Sequence, residues 1–540
     1  MTERSTSTTT DVVVLGSGGA GLTAAVTAAS TGAEVVVLER SPQLGGTTSV
    51  SGGMVWVPQN NHMSELGIVD SRDEALAYLR ACTAGHVAEE LLEAYVDTAP
   101  AMITFLEANT PARFRAVRRP DYRPEWPGGK PGGRTLDNLP FDASMLDGIP
   151  VRPRRSAIPF THDELVATKL ARRANEIDWE AVRARERAGV VTMGAALTAS
   201  LVAGCLQHGV RFETGVRAVD LVVDDADRIS GVVTKADDGC VSRHLARRGV
   251  VIATGGFEWS AELRQAFLGR PLDVPISPPW NVGDALRLGQ RARAGLGNMT
   301  EAWWVPSYLV PGETYEGQPL GRHLSSDLSL PGSIMVNGAG ARFVNESVNY
   351  NDLSAAFAIR DSEGTGLANL PCWMVFDSDY QQRYSVAGTP AAADPPDWWY
   401  SGESWTELAQ RLGVDANALV ATIERFNADA RNGADSAFGR GASAHDRFYG
   451  DAAFTPNPCL APLESPPFYA IEVRPGAFGT KGGLKIDAHA RVIDVDNKPV
   501  PGLFAAGNAS AGMTGPGYPG AGATLGSALT FGYLAGCQCR

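Results

Sequence analysis

The sequence predicts an α/β fold, α+β when the whole chain is counted, whose parallel sheet takes strands from both ends of the chain. Three observations predict it. A glycine-rich strand–loop–helix–strand unit opens the chain, a strand ending in a glycine pair lies near its middle, and a further strand–glycine unit precedes a last apolar helix. The region after Ala302 shows little βα alternation and more turns, such as PGETYEGQ and AAADPPDWW, with a helix-like stretch from Trp405 to Asn432.

The opening unit begins at Asp11–Leu15 (DVVVL), a short apolar run of the kind a buried parallel strand uses. The polar MTERSTSTTT before it lacks the apolar core of a signal peptide and reads as a frayed tail. Gly16-Ser17-Gly18-Gly19-Ala20-Gly21 then fits G-x-G-x-x-G, the helical pattern LTAAVTAASTG follows, and a second apolar strand, Glu34–Leu38, ends at Glu39. The glycine pattern alone is weak. With strand, helix, strand and acid in their places it predicts a Rossmann-like dinucleotide site. Gly16 permits the tight turn, Gly18 lets backbone approach a pyrophosphate, and Gly21 lets helix pack on strand. The free N–H groups at the helix start favour phosphates, and Glu39 is placed to accept from ribose hydroxyls.

Three later features select FAD over NAD. Gly45-Gly46-Thr47-Thr48-Ser49 and Ser51-Gly52-Gly53 follow the acid closely and let backbone lie against a flavin and its diphosphate. GVVIATGGF, from Gly249, carries Ala253, Thr254 and Gly255 at the end of a strand. GLFAAGN, ending in Gly507 and Asn508, is followed by Gly520-Ala521-Gly522-Ala523-Thr524-Leu525-Gly526, which opens the helix SALTFGYLAG. The positive end of that helix can stabilise a reduced, anionic flavin. Ser49–Gly53 offers no histidine for covalent attachment, so the FAD is expected to be non-covalent.

Bulk properties narrow the rest. A length of 540 residues predicts more than one packed unit. The net charge of −13 argues against nucleic acid as a partner. No apolar run reaches the roughly 18 residues of a membrane span. The seven cysteines make no C-x-x-C pair, so neither disulfides nor zinc is expected, and Cys537 and Cys539 read as frayed. His62, His86, His162, His208, His244 and His489 show no metal spacing, and no metal site is expected. From these features the chain is expected in the cytoplasm. The arginines from Arg152 to Arg187, interleaved with Asp163, Glu164, Glu176, Asp178, Glu180 and Glu186, read as a solvated helical face, with peripheral contact to anionic lipid as the alternative. Trp398-Trp399-Tyr400 reads as packing, and Trp303 and Trp304 could line either core or pocket.

The chain resembles the fumarate reductase-like flavoprotein superfamily and, within it, the 3-ketosteroid Δ1-dehydrogenases. The resemblance spans nearly the whole chain. It is carried by GSGGAG at 16–21, ERSPQLGGTT at 39–48, SGGMVWVP at 51–58, DYRPEWPGG at 121–129, LPGSIMVN at 330–337 and RFVNESVNY at 342–350. FGRGASAHDRFYGD at 438–451, FGTKGGLKID at 478–487, GLFAAGN at 502–508 and GYPGAGATLGSALTFGYLA at 517–535 complete it. Departures are Arg123, where many relatives have an aromatic, Ala521, where proline is common, and the stretch 151–190.

The resemblance implies a discontinuous FAD-binding domain, 1–301 and 480–540, with an inserted α+β catalytic domain, 302–479. It implies cofactor contacts from Gly16, Gly18, Gly19, Ala20, Gly21, Glu39, Arg40, Gly45, Gly46, Thr47, Thr48, Ser51, Gly52 and Gly53. Ala253, Thr254, Gly255, Asp284, Gly507, Asn508, Gly522, Ala523, Thr524 and Leu525 complete that set. It further implies 1,2-desaturation of a 3-ketosteroid. Tyr518 and the Gly522 N–H would hold the ketone oxygen, Tyr350 assisted by Tyr122 would take the α proton, and FAD N5 would take the hydride. A quinone-like acceptor would then remove the electrons. Three alternatives stay open: a desaturase of a smaller, cyclohexanone-type ring, a fumarate-type reductase, and an FAD-stabilised binding protein. The reductase would need a His-Pro-Thr element, where the sequence offers His323 and His445 without one, and the binding role conflicts with the retained tyrosines.

Overall fold

The computed structural model describes residues 6–146, 148–153, 158–169, 172–173 and 176–540. Its first sheet has five parallel strands in the order Pro499–Ala505, Val241–Ile252, Thr6–Leu15, Val35–Glu39 and Arg211–Thr214. Val12–Leu15 and Val35–Leu38 are unbroken β-branched and leucine runs because both faces of the sheet are covered. The covering helices Gly19–Ala29, Met193–Gln207 and Ala523–Gln538 are rich in alanine, glycine and threonine and buried along most of their length. Arg491–Ile493 adds an antiparallel edge, and the ribbon Val216–Val223/Ile229–Ala236 pairs with the first half of Val241–Ile252. Among the described residues no helix is long and apolar enough to cross a membrane.

Both chain ends differ from their sequence reading. The first strand begins at Thr6, not Asp11, because the threonine run pairs with Ser242–Ala246 before a bulge at Asp11. The last helix runs through Cys537 to Gln538, and Cys539 is buried, so these cysteines are part of the packed fold.

The second sheet is antiparallel, in the order Gln318–His323, Ala302–Tyr315, Phe468–Thr480, Cys372–Asp377 and Ser333–Asn337. Val274–Pro275 and Tyr400–Gly402 also pair with the long Phe468–Thr480 strand. One face, with Ile334, Val336 and Val375, packs against two helices, Trp405–Leu412 and Ala416–Asn432. The sequence reads these as one stretch; they are split at Gly413, whose φ is 71°, and the second is capped by Asp415. The other face buries Met335, Met374, Phe376 and Ile471 with Trp399, so Trp399 is a packing residue.

Only the end of the arginine-rich stretch, the helix Trp179–Arg187, is a solvated helical face; the described arginines before it turn inward. Arg152 is buried and bonds Ser41 and Glu316, Arg172 pairs with Asp327 at 2.6 Å, and Arg173 with Asp451 at 2.6 Å. Buried carboxylates elsewhere in the chain draw these cations inward. Arg183 and Arg187 do face solvent, while Arg154 and Arg155 lie outside the described residues.

One buried ionic knot fixes the segment leading to Tyr350. Glu346 accepts from Arg342 at 2.6 and 2.7 Å, from Arg440 at 3.2 Å and from the Met335 N–H at 3.1 Å. Glu346 and Arg440 are essentially inaccessible to solvent. Glu346→Ala leaves Arg440 as a buried cation without its carboxylate and is expected to destabilise the fold by about 3–5 kcal/mol, measured by denaturant unfolding of the holoprotein. A cost below about 1 kcal/mol would show that the knot is not a structural anchor.

Candidate active site

The glycine-rich turns gather at the C-terminal ends of the parallel strands, where such sheets bind nucleotides. A Cβ on Gly21 would lie 2.0 Å from the Gly16 carbonyl oxygen, so only glycine lets this helix dock on its strand. Beside Gly52, by contrast, the space is open, as a cradle for a ligand requires. The Thr254 hydroxyl in the same region is buried without a partner. Open backbone and an orphaned hydroxyl fit a dinucleotide diphosphate.

Glu39 stands where its motif puts it, accepting from the Ser17 N–H at 2.9 Å, the Ser17 hydroxyl at 2.6 Å and the Ser41 N–H at 2.8 Å. Ser17 in turn accepts from the Gly45 N–H at 2.9 Å, locking the two glycine loops together. Gly46–Val50 is a short helix rather than a loop, and Thr48 accepts from the Gly19 N–H at 2.9 Å. Ser51 accepts from the Gly53 N–H, and Gly507 packs beside Ala20. The Asp284 carboxylate is shared by Arg217, Arg40 and Arg287. The sequence reading missed the brace beneath Gly255. Buried Glu258 accepts from Ser277 at 2.5 Å and from Asn281 at 2.7 Å, and Asn281 also donates to Thr47 at 3.0 Å.

Tyr122, Tyr350 and Tyr518 come from three distant parts of the chain and meet. The Tyr122 hydroxyl donates to the Tyr350 oxygen at 2.7 Å. The rings contact edge-on, with centroids 5.1 Å apart for Tyr122–Tyr518 and 5.6 Å for the other two pairs. Backbone bonds set this meeting. The Pro519 carbonyl accepts from the Tyr122 N–H at 2.9 Å and the Tyr78 hydroxyl at 2.6 Å, and the Gly522 carbonyl accepts from the Trp56 N–H at 3.1 Å. Asp121, next to Tyr122, is tied to Trp56 at 2.7 Å and Arg134 at 2.9 Å, and burial pushes its carboxyl up to about 6.

Gly522 has a φ of 94° and begins the last helix. Among the described residues its N–H has no acceptor. A Cβ there would lie 2.6 Å from the Met54 backbone, so no larger residue fits. Thr524, in the first turn, pairs its hydroxyl with that of Tyr518 at 3.2 Å. An unbonded N–H at a helix start is free to donate to a ligand oxygen.

Burial raises the Tyr350 phenol well above its ordinary value, and the neighbouring Tyr122 and Tyr518 add to the shift. Two cations that the sequence reading did not single out stand beside the tyrosines. Lys481, in the FGTKGG segment, donates to the Pro516 and Gly517 carbonyls at 3.2 and 2.7 Å and lies 4.5 Å over the Trp303 ring. Trp303 packs on Tyr518 at 4.8 Å and donates to Asn508 at 3.0 Å, so it belongs to the site, whereas Trp304 is core. Arg119 lines a cavity with Tyr350, His445 and Tyr449. Its only sequence signal is a basic pair just before the Tyr122 motif.

The profile of a family described as "FAD binding domain" matches residues 11–525. A 4-oxocyclohexanecarboxylate 2-dehydrogenase of Sinomonas cyclohexanicum is 45% identical over 98% of this chain and 92% of its own length. A 3-oxosteroid 1-dehydrogenase of Mycolicibacterium smegmatis is 37% identical over 97% of this chain and 96% of its own. The crystal structure of a 3-ketosteroid delta1-dehydrogenase from Sterolibacterium denitrificans, in complex with 1,4-androstadiene-3,17-dione, superposes with a TM-score of 0.92 at 36% identity, covering 98% of this chain and 99% of that one.

Burial pushes the Lys481 ammonium down from 10.5 to about 7, against the pull of Glu301 and Asp352. Between those values the unfolded chain binds more protons than the folded one, so this group makes stability rise with pH from about 7 toward 10.5. Lys481→Met is expected to flatten that rise, read as the difference in holoprotein Tm between pH 7 and pH 10. An unchanged slope would mean that Lys481 does not titrate in this window.

Proposed function

The chain belongs to the FAD-binding flavoprotein family that includes the 3-ketosteroid Δ1-dehydrogenases, as an FAD-dependent oxidoreductase acting on CH–CH bonds, and from that premise we propose that it dehydrogenates the bond beside the carbonyl of a ring ketone. The observation that carries the reading is the Tyr122–Tyr350 hydrogen bond standing beside Tyr518 and the unbonded Gly522 N–H.

In this reading the Tyr518 hydroxyl and Gly522 N–H grip the ketone oxygen and stabilise the enolate, aided by the positive end of Ala523–Gln538. Tyr350 takes the α proton, and Tyr122, donating to its oxygen, orients that phenol. FAD, when bound, supplies the acceptor for the hydride leaving the β carbon. The turns at Gly16–Gly21, Gly45–Gly53, Ala253–Gly255 and Gly507–Asn508 would hold it, with Glu39 at the ribose end. A quinone-like acceptor completes the cycle. The sheet membership supports an FAD-binding part of 1–301 and 480–540 around a catalytic part of 302–479, although Val274–Pro275 joins the second sheet.

The 3-ketosteroid as substrate is supported by the 3-oxosteroid 1-dehydrogenase relatives at 37% identity. A one-ring ketone such as 4-oxocyclohexanecarboxylate is supported by the 45% identical relative and by the guanidinium of Arg119 in the cavity. The same tyrosine chemistry serves both.

Tyr350→Phe and Tyr518→Phe are expected to keep FAD, seen by its absorbance, and to lose about 10²–10⁴-fold in ring-ketone turnover with a dye acceptor. Near-normal turnover by either variant would sink the corresponding role. Because Tyr350 lies above its ordinary range and acts deprotonated, kcat is expected to rise with pH through the neutral and alkaline range. A plateau already below neutrality would remove Tyr350 as the base.

A further inference from the structure

Arg119 is half-buried in the loop that carries Tyr122 and shares a cavity wall with Tyr350, Asn349, His445 and Tyr449. Among the described residues no carboxylate lies within ion-pair distance of it. Its Nε donates to the Tyr449 hydroxyl at 2.6 Å, an Nη2 hydrogen goes to the same oxygen, and Nη1 reaches the Met54 sulfur at 3.0 Å. One N–H on each terminal nitrogen has no acceptor among the described residues and is available to a carboxylate.

The acids nearby are already engaged. Glu346 lines the same cavity, but Arg342 and Arg440 hold its carboxylate. Asp137, whose carboxyl Arg119 helps to draw down, bonds Arg115 at 3.3 Å. Met54 also links this guanidinium to the ketone end of the site, since its backbone packs against Gly522. Closing such a cavity on an uncharged hydrocarbon ring would strand the cation, whereas a carboxylate would neutralise it.

We propose that Arg119, oriented by Tyr449, is the receptor for a carboxylate carried by the ring ketone, which makes the substrate a cyclohexanone acid rather than a steroid. The assignment rests on the ring-ketone reading above. Arg119 also has a competing role to be separated from this one, because its charge favours ionisation of Tyr122 and Tyr518.

The holoenzyme is assayed with a dye acceptor on 4-oxocyclohexanecarboxylate, cyclohexanone and androstenedione. Binding of cyclohexanecarboxylate, which has no ketone, is measured by calorimetry. The wild-type enzyme is expected to prefer the keto acid. Arg119→Met is expected to lower kcat/KM for the keto acid on the order of 100-fold more than for cyclohexanone, mainly through KM, and to weaken cyclohexanecarboxylate by a similar factor. Arg119→Lys should fall between, and flavin absorbance with Tm reports that both variants are folded. An equal loss on both ketones with a displaced pH profile would overturn the proposal and assign Arg119 to the tyrosines. A wild-type preference for androstenedione, or unchanged cyclohexanecarboxylate binding in Arg119→Met, would overturn it as well. If the wild-type enzyme oxidises no ketone, the dehydrogenation reading fails, and the calorimetry still decides whether Arg119 binds the acid.

Discussion

The site depends on the way the backbone of Pro519–Gly522 is clamped. Its carbonyls are taken by the Tyr122 N–H, the Tyr78 hydroxyl, the Thr135 hydroxyl and the Trp56 N–H. Each bond joins the C-terminal segment to a different early part of the chain. Tyr122 is positioned through its own N–H by the loop that carries Tyr518, so the two side chains cannot drift apart independently. The requirement for close approach at Gly522 follows from the same clamp, because the Met54 backbone occupies the space of a Cβ. A donor aimed at an oxyanion is effective only when it need not reorganise, and a backbone N–H held in this way meets that condition.

Burial sets the electrical character of the site. It raises the phenols of Tyr122, Tyr350 and Tyr518 and lowers the ammonium of Lys481. Both shifts have one cause, the cost of charge away from water. A buried phenolate is therefore expensive unless something beside it compensates. Arg119 lowers the cost of charge on Tyr122 and Tyr518, and the start of the last helix adds positive potential. The Glu346 knot, four residues before Tyr350, anchors the segment that carries that phenol.

What the sequence revealed, and what it did not, divides along the range of the interactions. The Rossmann-like unit was legible because its glycines obey a local rule: the Gly21 contact with Gly16 spans five residues. The tyrosines were reached only by family resemblance, since nothing local distinguishes Tyr350 from a core tyrosine. The Thr6–Thr10 strand was missed because a polar run is ordered by a partner at 242–246. The arginines after 152 were misread for the same reason, as Arg172 finds Asp327 and Arg173 finds Asp451 far along the chain.

Arg119 is the extreme case, because what marks it is the lack of a carboxylate partner among the described residues. A lone arginine has no spacing or period, and its meaning depends on which acids fail to reach it once the chain has folded. Arg119 and a helix start are positive, Lys481 is positive only below about pH 7, and Glu346 and Asp137 are paired with Arg342, Arg440 and Arg115. Such a balance suits two negative charges on one ligand: the enolate that develops at the ketone oxygen and a carboxylate that is present from the start. Charge already present contributes to binding in the ground state, and charge that develops contributes only to the transition state. In the proposed reading Arg119 holds the substrate and the Tyr518–Gly522 pair activates it, on scaffolding that a neutral ketone would use only in part.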